Sequence, residues 1–120
     1  MSTITDVYCV SVPVSDQEAA LTFFVDKCGF EIRRDAPMGD GRWVTVAAPS
    51  GSVEVALQAD SDSGGSDTGI RFATGDAEGA HEQLARLGVE VKELLRWPGV
   101  PPMFQFTDPD GNIYTVIETA

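Results

Sequence analysis

Residues 6–34 read DVYCVSVPVSDQEAALTFFVDKCGFEIRR, and a change of period inside this stretch sets the first half of the fold. Val10, Val12 and Val14 alternate with Cys9, Ser11 and Pro13, which predicts a half-buried strand over Asp6–Val14. Pro13 has no N–H for a ladder, so it belongs at a sheet edge or at the strand's exit. Ser15 or Asp16 then suits a helix N-cap, and with Ser15 as the cap Glu18 would complete a capping box. Ala20, Leu21, Phe23 and Phe24 form an apolar stripe at helical spacing, and Gly29 ends the helix. Phe30–Arg34 reads as a second short strand.

Further along, Pro37, Gly39 and Gly41 mark Asp35–Gly41 as a loop. Arg42–Ala48 alternates again, with Val44 and Val46 facing the helices and Trp43 and Thr45 facing away. Pro49-Ser50-Gly51 makes a turn, and in Val53–Gln58 Val55 and Leu57 oppose Glu54 and Ala56. Residues 60–67, DSDSGGSD, hold no apolar side chain and read as a flexible linker. Beyond it the order repeats: a strand at Ile70–Thr74, a helix capped by Asp76 and running to Leu87, then Gly88. Strands are expected at Val89–Leu95, Met103–Thr107 and Ile113–Glu118, with WPGVPP (97–102) as a loop and Asp108–Gly111 as a turn. Asp16 and Asp76 stand sixty positions apart, as do Pro49-Ser50-Gly51 and Pro109-Asp110-Gly111. A duplicated strand-helix-three-strand unit explains the match. The fold class is therefore α+β: one domain of two βαβββ modules, 1–59 and 68–120, joined by the linker. One helix covers only one face of a four-stranded sheet, so the other face needs the second unit or another chain.

Composition narrows the function. The chain has 120 residues, 42% of them hydrophobic, and 8 Lys plus Arg against 19 Asp plus Glu give a formal charge of −11. Nucleic-acid binding requires clustered cations, and an anionic membrane would repel this chain. No apolar run approaches the ~20 residues of a membrane span, and Met1–Asp6 does not resemble a signal peptide. Two cysteines, Cys9 and Cys28, make no disulfide framework, which fits reduced thiols in the cytoplasm.

Val12-Pro13-Val14-Ser15-Asp16, Phe23-Phe24, Cys28-Gly29-Phe30 and Asp108-Pro109-Asp110-Gly111-Asn112, in this order on a duplicated unit, resemble the vicinal oxygen chelate superfamily. That group includes glyoxalase I, bleomycin-resistance proteins, fosfomycin-resistance enzymes and extradiol dioxygenases. The resemblance covers nearly the whole chain. It implies two modules whose sheets curl around a small-molecule cleft, usually in a homodimer. It also implies a divalent metal, but the positions do not carry its ligands. Seven residues before the capping acids stand Cys9 and Gly69, and four after the turn glycine stands Thr115. On the remaining strand the position is Glu54 or Ala56. Glycine offers no donor, Thr is a weak neutral ligand and one Cys makes no cluster. His81, the sole histidine, falls within the second helix and reads as a partly exposed helix residue. No metal and no cofactor are expected.

The candidate ligand-binding residues are Cys9, Ser11, Trp43, Glu54, Arg71, Trp97, Met103, Gln105 and Thr115. The two tryptophans would stack on a planar ligand, or else pack in a dimer interface and pin a loop. Arg71 could hold a carboxylate or phosphate, or pair with an acid such as Glu54. Phe104 and Phe106 read as core, which turns Gln105 and Met103 to the cleft. Cys9 has no histidine to activate it and reads as a small pocket residue. The leading expectation is a homodimeric, metal-independent protein that binds a planar or amphipathic small molecule, with drug sequestration as one such role. The alternative is a lyase, isomerase or dioxygenase using Glu54 as base or metal ligand. A structural dimer with a vestigial cleft is the third.

Overall fold

A computed structural model describes residues 2–62 and 64–119. The chain forms two compact units, residues 1–63 and 64–120. In the first, β1 (Cys9–Val14), β2 (Glu31–Met38), β3 (Gly41–Ala47) and β4 (Glu54–Ala59) form one sheet in the order β1-β4-β3-β2. In the second, β5 (Asp67–Thr74), β6 (Glu90–Val91), β7 (Met103–Thr107) and β8 (Ile113–Glu118) are ordered β5-β8-β7-β6. In each, the first strand pairs in parallel with the last, and the other pairs are antiparallel. This is the predicted duplication, strand for strand.

Asp16, rather than Ser15, caps the first helix: its carboxylate accepts from the backbone N–H groups of Glu18 and Ala19. The helix α1 (Gln17–Thr22) then widens into a π-helical turn over Phe23–Lys27, where a single α-helix was expected. The wide turn accommodates two consecutive buried rings, Phe23 and Phe24, with Phe24 stacked on Phe30 at 5.6 Å. Val12, Val14, Val44, Val46, Val55 and Leu57 complete this core, each almost fully buried. In the second unit Asp76 caps α2 (Ala77–Arg86) through the N–H of Gly79. Phe104, Phe106, Tyr114 and Val116 are buried with Leu84 of that helix.

Three local expectations change. The stretch expected as a loop at 35–41 is mostly strand, since β2 continues to Met38 and pairs down to Met38–Gly41. Pro37 is tolerated there because β2 is an edge strand, and Gly39 (φ +60) with Asp40 makes the tight turn. The strand expected over Val89–Leu95 is paired only at Glu90–Val91, with a lone bridge from Leu95 to Met103. The linker is shorter than its composition suggests. Gly65 (φ +81) lies so close to the turn at 110–111 that a Cβ would fall 2.5 Å from the Asp110 carbonyl oxygen, and Ser66 accepts from the Ile113 N–H. Both residues are thus bound to the second unit.

Candidate functional site

The strand register of the second unit assembles a row of polar side chains across one sheet face. Arg71 on β5 faces Thr115 on β8, and Thr115 faces Gln105 on β7. The backbone N–H of Lys92 donates to the Gln105 carbonyl at 2.8 Å, carrying the row past the end of β6. Directly paired residues share a face, so Arg71, Thr115, Gln105 and Lys92 cross the sheet side by side. Beside this row lies a cleft of about 500 Å³, lined by these four with Glu93, Leu95, Met103 and Phe104. The Phe104 ring turns the other way, edge-on to His81 at 5.0 Å, so this residue meets the cleft with its backbone. Leu95 and Met103 supply the apolar wall.

Four candidate residues, Arg71, Met103, Gln105 and Thr115, are thus together in one cleft. Lys92, Glu93 and Leu95 were missed: they fall on the strand expected over Val89–Leu95, of which β6 keeps only Glu90–Val91. The alternation of Lys92 with Val91 was the available signal, since it puts Lys92 on the face of Gln105. Trp97 is 59% exposed and lies outside the cleft lining. His81 is half-buried, as expected for a helix residue, with Nε2 2.8 Å from the Lys92 carbonyl oxygen.

The remaining candidates occupy the first sheet. Cys9 pairs with Glu54, and Ser11 with Ala56, across β1 and β4. Thr45 on β3 shares their face, and so does Trp43 by alternation. Glu54 is 8% exposed, and its Oε1 accepts from the Thr45 hydroxyl at 2.7 Å. Arg34 stands 3.7 Å from the same oxygen, with its guanidinium 5.9 Å from the Tyr8 ring centroid. The ion-pair partner of Glu54 is therefore Arg34.

The donor set does not fit the metal that the resemblance implies. Glu54 is the one strong oxygen donor at the four positions, and its Oε1 is engaged by Thr45 and Arg34. Gly69 has no side chain, and among the described residues no three His, Cys, Asp or Glu side chains gather to hold an ion. Glu54 anchors its own sheet face.

Residues 7–115 match the family model of the Glyoxalase/Bleomycin resistance protein/Dioxygenase superfamily. The chain belongs to this superfamily. It is the group that the sequence resembles under the name vicinal oxygen chelate. The uncharacterized protein YetH of Bacillus subtilis (strain 168) is 30% identical over 96% of this chain and 99% of its own length. A superfamily member from Sphaerobacter thermophilus DSM 20745 superposes with a TM-score of 0.91 at 34% identity, covering 98% of this chain and all of that one. TnmS3, an antibiotic binding protein from Streptomyces sp. CB03234, superposes at 0.86 with 30% identity over the full length of both chains. No helix is long and apolar enough to cross a membrane among the described residues.

Proposed function

We propose that this protein binds an amphipathic small molecule without a metal and releases it chemically unchanged, as a sequestering protein does. The observation that carries this reading is the second unit's cleft. A polar row, Arg71-Thr115-Gln105-Lys92, lies beside an apolar wall of Leu95 and Met103. A concave site with a few convergent polar groups on an apolar lining suits such a ligand. The likeness to an antibiotic binding protein at 30% identity supports the same reading. The test is incubation with a library of flat amphipathic compounds, followed by size exclusion and mass spectrometry of what co-elutes. One bound molecule per chain, with its mass unchanged, is the expected result. A product of altered mass would overturn it in favour of an enzyme.

The protein acts as a cytoplasmic homodimer in this reading. Each sheet has a single helix to cover its two faces, and edge strand β2 leaves Ile32 49% and Met38 58% exposed. Neither Cys9 nor Cys28 is in a disulfide, as a reducing compartment allows. Sedimentation equilibrium at micromolar concentration should give twice the chain mass; a single chain's mass would refute the dimer.

A further inference from the structure

We infer that the ligand of the second unit's cleft is a monocarboxylate, with its carboxylate on Arg71 and its apolar body across the sheet toward Leu95 and Met103. The inference rests on the reading of this cleft as a ligand site and adds the charge and orientation of what it takes.

The charge pattern carries it. Acids outnumber cations by 19 to 8, so a guanidinium or ammonium has carboxylates in abundance. Arg33, Arg34, Arg42, Arg86 and Arg96 each make an ion pair. Arg71 and Lys92 make none among the described residues, and both line the same cleft. Arg71 and Lys92 against Glu93 leave the lining with one positive charge, opposite in sign to a chain of −11. Two cations without an ion pair among the described residues thus line one concavity.

Geometry assigns the acid group to Arg71. One guanidinium N–H donates to the Gly69 carbonyl at 3.2 Å, which steadies the group. This is its only hydrogen bond among the described residues, so the other donors of the fork remain for a planar anion. Thr115, its register partner, adds a hydroxyl, and Gln105 an amide. Lys92 stands three strands away, roughly 14 Å at the usual strand spacing. It is too far to share one carboxylate with Arg71 and serves as a weaker contact at the other end. One guanidinium beside neutral partners balances a monoanion, whereas a phosphate dianion would call for a second cation beside the first.

The test uses three matched probes with the full-length protein in calorimetric titration: 2-naphthoate, 2-naphthamide and 2-naphthyl phosphate. The naphthoate should bind at least about tenfold more tightly than the amide, since a charge-assisted fork is the stronger contact. Arg71→Ala should abolish that difference, weakening the naphthoate far more than the amide; Lys92→Ala should reduce it by less than Arg71→Ala does. Arg71 is exposed, so the variant should fold, and its circular dichroism checks this. Equal affinity of naphthoate and naphthamide would overturn the inference while leaving the proposed binding function in place. Tighter binding of the phosphate would overturn the carboxylate assignment. Failure of all three probes to bind would overturn both readings together.

Discussion

The two units carry one topology, and they secure the same turn by opposite chemistry. In the second, the buried Asp108 carboxylate accepts from the N–H groups of Asp110 and Asn112, the Asn112 side-chain amide and the Tyr114 hydroxyl, at 2.8–3.1 Å. Sixty positions earlier stands Ala48, which can make none of these bonds. There Arg33 does the work from outside the turn, donating to the carbonyls of Ala48 and Gly51 at 3.0 Å each. One turn is held by an acceptor gathering donors, the other by a donor gathering acceptors. The sheet faces diverge in the same manner. The first closes on itself through Thr45, Glu54 and Arg34, while the second leaves Arg71 and Lys92 on a cleft without ion pairs among the described residues. A duplicated scaffold needs its turns and cores in both copies, while its two sheet faces are free to diverge.

Breaking the second turn should have the largest effect. Asp108→Ala strands several buried donors and should lower stability by about 3–4 kcal/mol in chemical denaturation. A loss under about 1 kcal/mol would mean that the carboxylate is not the turn's anchor. Arg33→Ala comes next, at about 1–2 kcal/mol. The arginine is partly exposed and water can replace it at the carbonyls. If Arg33→Ala proved the more damaging of the two, the contrast between the turns would be reversed.

The smallest effect is electrostatic and confined to the first unit. Arg42 donates to both oxygens of Asp35 at 2.8 Å, and this bond holds the Asp35 carboxyl below the usual carboxylate range. A depressed carboxylate contributes stability above its unfolded value, near ~3.9, and loses it as the pH falls through the lower folded value. Asp35→Asn should therefore reduce the urea midpoint slightly at neutral pH, and the difference should vanish in acid. A difference that grows in acid would contradict the sign. The pair is exposed, so the effect stays small.

The duplication was legible because its signals are local: period-two valines, capping Asp16 and Asp76, and paired turns sixty positions apart. Half of the cleft was legible for the same reason, since strand alternation alone turns Gln105 and Thr115 away from Phe104, Phe106 and Tyr114. What alternation cannot supply is pairing. That Glu54 meets Thr45 and Arg34 depends on the registers of β3 and β4 and on a bulge in β2 between Ile32 and Arg34. Lys92, Glu93 and Leu95 were missed because β6 ends at Val91, beyond which the Lys92 N–H and the Leu95 bridge still reach β7, so alternation does not place all three. Pro37 and Gly39 read as a loop because their composition is that of one. Gly39 lies in the turn, and the edge position of β2 makes Pro37 compatible with a strand.

The central claim is that the second unit's face binds the ligand and the first unit's does not. Amide chemical-shift mapping of the isotope-labelled protein titrated with 2-naphthoate tests it directly. The account predicts the largest shifts at Arg71, Lys92, Met103, Gln105 and Thr115, with Ser11, Thr45 and Glu54 nearly unmoved. The largest shifts at Ser11, Thr45 and Glu54 would contradict it.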